Sequence, residues 1–69
     1  MSNIIVEITD SRKTYPEENM EFKGVVNGKK WEGRQTYGTS PFSHAEAVEE
    51  NVKLTEEEIQ AVFERMINW

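Results

Sequence analysis

Residues 20–35 read Met-Glu-Phe-Lys-Gly-Val-Val-Asn-Gly-Lys-Lys-Trp-Glu-Gly-Arg-Gln, and this stretch decides the fold. Asn27-Gly28 lies between two runs in which apolar and polar residues alternate. A two-residue type I′ turn needs positive φ at both central positions, which Asn and Gly adopt at low cost. The stretch therefore predicts a β-hairpin in which Val26 lies opposite Lys29.

Counting outward from this turn gives the register of the whole hairpin. The pairs on one face are Val26/Lys29, Gly24/Trp31, Phe22/Gly33 and Met20/Gln35. The pairs on the other face are Val25/Lys30, Lys23/Glu32 and Glu21/Arg34. Opposite charges on the second face, and an aromatic ring opposite each glycine on the first, support this register. The first face is predicted to be the core face, because a slip by one residue would turn its apolar side chains toward water.

A further strand is predicted before the hairpin, over residues 3–9, which are rich in β-branched residues at alternating positions. The residues on its apolar side are Ile4, Val6 and Ile8. The polar residues 10–19 contain a proline and are predicted to connect this strand to the hairpin, with which it pairs as a sequential neighbour. Residues 37–41 are predicted to end the sheet.

Two helices are predicted after the sheet. The first begins within residues 42–47, with Ser43 as N-cap and Glu46 as its capping-box partner. The second has a capping box formed by Thr55 and Glu58. Its apolar residues recur at helical spacing and are expected to cover the sheet. These residues are Ile59, Val62, Phe63 and Met66.

These elements define one domain, residues 1–69, of the α+β class. The predicted architecture is a three-stranded antiparallel meander packed on one face by two C-terminal helices, in the order βββαα. The chain has no cysteine, which removes disulfides and thiolate metal sites from consideration. It begins with no basic region or long apolar run, and no stretch is apolar enough to span a bilayer, so we expect a cytoplasmic protein.

The net charge of −5 is unevenly distributed along the chain. Residues 1–42 hold six acidic and six basic side chains, whereas residues 43–69 hold seven acidic and two basic ones. The whole imbalance therefore lies in the C-terminal part, which indicates an acidic helical surface. The residues expected on that surface are Glu46, Glu49, Glu50, Glu56, Glu57 and Glu64.

This charge distribution, the small size and the lack of a catalytic arrangement predict a small non-enzymatic protein-binding module. We expect an inhibitor or adaptor, of the phage or mobile-element type, that presents the acidic helical face to a basic protein surface. The competing interpretation is an ordinary solvated helix face whose glutamates favour the positive helix N-terminus.

Two other binding functions stay open. A homodimeric housekeeping protein would associate through apolar residues left outside the core, namely Ile5, Val25, Ile67 and Trp69. A nucleic-acid-binding module would use Lys29 and Lys30 of the hairpin beside its aromatic residues. The balanced charges on the outer face of the hairpin argue against this second possibility.

Catalysis and metal binding have little support in the residue pattern. His44 is the only histidine, and Ser43 beside it would not face it at a helix start. One histidine with scattered carboxylates does not form a convergent ligand set. We therefore expect no enzymatic activity and no cofactor.

Overall fold

The computed structural model describes residues 4–14 and 19–69. Within these ranges four strands form one antiparallel sheet in which they are neighbours in chain order, and a helix that follows them packs on one face of the sheet. The elements are β1 Val6–Thr14, β2 Asn19–Val26, β3 Lys29–Thr36, β4 Phe42–Ala47 and α1 Glu56–Ile67. The predicted α+β class is confirmed, but the described sheet has four strands instead of three, followed by one helix instead of two.

The hairpin formed by β2 and β3 has the predicted turn and the predicted register. Asn27 and Gly28 have φ values of 50° and 77°, as a type I′ turn requires. Every predicted pair is present, from Val26 opposite Lys29 at the turn to Met20 opposite Gln35. The predicted core face is also confirmed, because the side chains of this face that are buried against α1 include those of Phe22, Val26 and Trp31.

The Trp31 indole covers both glycines of the core face. An ideal Cβ at Gly24 would lie 2.9 Å from Trp31 Cζ2, and one at Gly33 would lie 3.0 Å from Trp31 Cζ3. At Gly33 the other nearest atoms are Met66 Sδ and the His44 carbonyl oxygen. The ring that lies closest to Gly33 is therefore the indole, not the Phe22 ring directly across the hairpin.

β1 pairs with β2 as predicted, but it begins at Val6, after residues 4 and 5 of the predicted strand, and continues to Thr14, beyond the predicted end at residue 9. The pairing passes from Ile8 opposite Gly24 to Asp10 opposite Lys23, which leaves Thr9 as a β-bulge. Residues 10–14 then pair with β2, so their prediction as a connection is wrong. The bulge breaks the alternation from which the strand was predicted. Residues 15–18 of the predicted connection, and residue 3 of the predicted strand, lie outside the described residues.

β4 occupies the segment predicted to begin the first helix. Its six residues pair with β3, with His44 opposite Arg34 and Ala45 opposite Gly33. Ser43 is therefore not an N-cap, and its hydroxyl donates a hydrogen bond to Gln35 Oε1. The first turn of a helix is unfavourable to form, and a short helix makes few hydrogen bonds to offset that cost. A strand at this position instead pairs with the free backbone groups of β3. Residues 37–41 accordingly connect β3 to β4 and do not end the sheet.

α1 begins and packs as predicted for the second helix. The Thr55 hydroxyl accepts a hydrogen bond from Glu58 N, and the Glu58 carboxylate accepts one from Thr55 N, which completes the capping box. Val62 and Met66 are buried against the sheet, and Phe63 is packed beside them. Among the described residues, no helix combines the length and the apolarity needed to cross a membrane.

Candidate binding surfaces

The face of the sheet opposite α1 is open and carries charged side chains on every strand. A shallow depression of about 730 Å³ on this face is lined by eleven residues. These are Asp10, Arg12, Glu21, Phe22, Lys23, Glu32, Gly33, Arg34, Phe42, His44 and Glu46. Antiparallel sheets commonly leave one polar face in water, so charge on this face is not by itself a functional sign.

Most of the charges on the open face are matched by neighbours. Glu21 lies between Arg12 and Arg34, at 2.5 Å and 3.2 Å from their Nη2 atoms. Hydrogen bonds from Arg12 and then from Arg34 hold the pKa of Glu21 below its usual value of 4.5. Lys23 lies 3.9 Å from Glu32. The basic side chains of this depression are therefore occupied by carboxylates of the same chain.

Glu58 joins the helix to the hairpin turn, and its carboxylate is almost fully buried. Oε1 lies 2.7 Å from Lys29 Nζ, and Oε2 accepts a hydrogen bond of 2.9 Å from Asn27 Nδ2. Hydrogen bonds from Lys29, from the Thr55 backbone and from Asn27 lower the pKa of Glu58 to about 2. Because Lys29 is held here, the structure gives no support to Lys29 as a free nucleic-acid contact, and Lys30 lies apart from it on the open face.

An acid-lined depression lies on the exposed side of α1. It has a volume of about 360 Å³ and is lined by Ile4, Glu56, Glu57, Gln60, Ala61 and Glu64. We call these six residues the α1 depression. None of its three glutamates forms an ion pair with another described residue. The α1 depression therefore combines unpaired carboxylates with the apolar side chains of Ile4 and Ala61.

The structure separates the six glutamates predicted to form one helical face. Glu46 lies in β4, where it faces the open side of the sheet opposite Glu32. Glu49 and Glu50 lie in the connection between β4 and α1. Glu56, Glu57 and Glu64 lie together on α1. The prediction that all six share a helical face is wrong, because the first predicted helix is a strand.

The four residues of the predicted self-association patch do not form one surface either. Trp69 packs against the core side of the sheet, with its ring edge-on to Phe22 at 5.5 Å between centroids. Val25 lies on the opposite, open face, across from Lys30. Ile67 is 55% exposed at the end of α1, and Ile5 is 81% exposed before β1. Self-association through these four residues as a single patch has no support in the geometry.

Residues 42–48 form an edge of the sheet that the sequence prediction missed. Phe42 and Val48 are 53% and 50% exposed at its two ends, with His44 and Glu46 exposed between them. The available signal was period-two alternation, since Ser43, Ala45 and Ala47 occupy the intervening positions.

The chain matches no protein-family model, no curated protein and no solved structure. Within residues 4–14 and 19–69, there is no group of three or more histidine, aspartate or glutamate side chains that could hold a metal ion.

Proposed function

We propose that this protein is a small non-enzymatic binding module that uses the α1 depression to bind a basic segment of another protein. The observation that carries the proposal is that three glutamates with no ion-pair partner among the described residues line one depression together with Ile4 and Ala61. A lysine or arginine side chain matches this arrangement, because its aliphatic stem can cover apolar atoms while its charged end meets carboxylates.

The charge distribution of the folded chain supports the same partner chemistry. On the open sheet face, Arg12, Lys23 and Arg34 are paired with carboxylates. Around α1 the acids exceed the bases, and the negative potential there extends into solvent. A basic partner would be attracted to this side of the molecule, and the association rate would fall as the salt concentration rises.

The test compares two triple variants that carry the same net charge. The first removes the three carboxylates of the α1 depression: Glu56→Gln, Glu57→Gln and Glu64→Gln. The second removes three exposed acids outside the α1 depression and outside β4: Glu7→Gln, Asp10→Asn and Glu49→Gln. Each variant and the unmodified protein are immobilised and exposed to lysate of the source organism. Any protein retained is identified by mass spectrometry, purified, and titrated calorimetrically at low and high salt.

The proposal requires a retained protein that binds through a basic segment and is lost with the first triple variant but kept with the second. Equal loss with both variants would mean that only the net charge matters. Equal retention with both would place the binding site elsewhere. Either of these results, or the absence of any retained protein, contradicts the proposal.

A further inference from the structure

The two edges of the sheet differ in how well they are protected against pairing with another strand. β1 contains the bulge at Thr9 and carries the exposed charges of Arg12 and Lys13. Bulges and charged side chains are the usual means by which an edge strand avoids a neighbour. β4 pairs with β3 without a register shift, and residues 42–47 contain no lysine, arginine or proline. β4 is therefore the edge that can accept another strand.

The backbone of β4 is oriented for such pairing. Val48 N donates a hydrogen bond to the Lys30 carbonyl, which fixes the phase of hydrogen bonding between β3 and β4. In an antiparallel pair, alternate residues direct their N–H and C=O groups toward the neighbour and away from it. Ser43, Ala45 and Ala47 therefore direct their backbone groups toward the free edge. Their small side chains face the helix side of the sheet.

The sequence of this edge complements itself when two copies run antiparallel about an axis at Ala45. The pairs in that register are Ala45 with the partner's Ala45, Ser43 with the partner's Ala47, His44 with the partner's Glu46 and Phe42 with the partner's Val48. The His44 imidazole can donate a hydrogen bond to the partner's Glu46, the apolar side chains of Phe42 and Val48 meet, and the free backbone groups pair with each other.

Neighbouring registers are less favourable. An axis at His44 places the two histidines opposite each other and sets Phe42 against the partner's Glu46. An axis at Glu46 places two carboxylates opposite each other, which is destabilising. If the axis instead falls between two residues, the backbone groups of one copy that point outward lie opposite groups of the other copy that are already bonded to its β3. The register centred on Ala45 is thus the one that the side chains specify.

One flank of α1 faces the β1–β2 side of the sheet. Arg65 lies over the ring of Trp69, which in turn meets Phe22 of β2. Ala61 lines the α1 depression together with Ile4, which lies two residues before the start of β1. These contacts orient the helix about its axis.

The opposite flank of α1 faces the β4 edge and is apolar. Ile59, Phe63 and Ile67 recur every four residues and so lie in one row along that flank. Ile59 and Phe63 are partly buried, and Ile67 is 55% exposed. Since α1 packs most closely against β4, a second copy added at β4 would bring the same row of its own helix alongside.

We propose that the protein forms a symmetric homodimer in which the β4 strands of two copies pair antiparallel about Ala45. The two sheets join into one continuous sheet, and the rows formed by Ile59, Phe63 and Ile67 face each other across the axis on the helix side. Among the described residues, five large apolar side chains are exposed, and three of them lie at this contact: Phe42, Val48 and Ile67. The α1 depression stays exposed, so this proposal is independent of the proposed function.

The test measures the dimer dissociation constant by sedimentation equilibrium for the unmodified protein and for charge variants of β4. His44→Glu sets a carboxylate against the partner's Glu46 twice per dimer and should weaken association roughly tenfold. Within the single chain the same carboxylate lies opposite Arg34, so folding is preserved, which thermal unfolding verifies. Adding Glu46→Lys in the same chain places a lysine opposite each introduced glutamate across the axis and should recover the dimer.

A matched pair of apolar variants distinguishes the β4 edge from other surfaces. Ile67→Lys should weaken the dimer, whereas Ile5→Lys, at a more exposed isoleucine away from the contact, should leave it unchanged. A protein that stays monomeric at all concentrations overturns the proposal. So does a dimer that is insensitive to His44→Glu, is not recovered by the double substitution, or depends on Ile5 more than on Ile67.

Discussion

Gly24→Ala should destabilise the protein strongly, because the Cβ of alanine would clash with the backbone carbonyl of Glu7 in the neighbouring strand β1. An ideal Cβ at Gly24 would lie 1.9 Å from the carbonyl oxygen of Glu7 and 2.9 Å from Trp31 Cζ2. Carbon and carbonyl oxygen make contact at about 3.3 Å, so β1 must move by more than an ångström near its bulge. Overpacking of this kind costs about 1–3 kcal/mol. The whole core of so small a domain supplies only about 3–5 kcal/mol.

The assay is thermal unfolding followed by circular dichroism, with Gly33→Ala as the comparison. A loss of 1 kcal/mol lowers the Tm of a domain this size by about 4–8 °C. At Gly33 the nearest atoms lie 2.8 to 3.0 Å from an ideal Cβ, and the closest is the flexible thioether of Met66. Alanine is intrinsically preferred to glycine in a strand by about 0.5–1 kcal/mol, and this preference offsets part of the steric cost of both substitutions. A Tm for Gly24→Ala equal to or above that of Gly33→Ala would refute the reasoning.

Two further substitutions test the interactions that hold the two ends of α1 against the sheet. At the N-terminal end, the pKa of Glu58 is lowered from the ordinary 4.5 to about 2. Its ionised carboxylate therefore stabilises the folded state fully above pH 4.5. This contribution to the free energy of unfolding is lost as the pH falls toward 2. Glu58→Gln should lower the Tm at neutral pH and make it fall less steeply between pH 4.5 and 2 than in the unmodified protein; parallel curves would contradict this. At the C-terminal end, the Tyr37 hydroxyl donates a hydrogen bond of 2.6 Å to the Met66 carbonyl, and burial raises the pKa of Tyr37. Tyr37→Phe should cost about 0.5–1.5 kcal/mol in denaturant unfolding, and an unchanged midpoint would show that this bond contributes nothing.

Features encoded by local chemistry could be predicted from the sequence. The type I′ turn at Asn27-Gly28 determines the register of a whole hairpin, because each later pair follows by counting. The capping box of Thr55 and Glu58 likewise marks the start of a helix whose apolar spacing continues for several turns. Both predictions agree with the structure.

Features that depend on distant pairing could not be predicted from local patterns. Ser43 and Glu46 have the spacing of a capping box, yet the segment is a strand because β3 offers it a row of backbone partners. The contacts of Glu58 with Lys29 and Asn27 join residues 29 and 31 positions apart. The candidate binding surfaces follow the same rule. The three glutamates on α1 could be predicted to lie together, whereas Glu46 could not be placed without knowing that it belongs to a strand.

In the homodimer proposed above, the bulge at Thr9 would limit how many further copies can join the sheet. A sheet with two open, flat edges can add neighbours at both ends and grow into a fibre. The extra residue in β1 kinks and twists one edge, and Arg12 and Lys13 add charge along it. With β4 paired to its symmetry mate, both remaining edges are those of β1. In the proposed dimer, the bulged and charged β1 edges would therefore disfavour the pairing of further copies, while β4 stays able to pair.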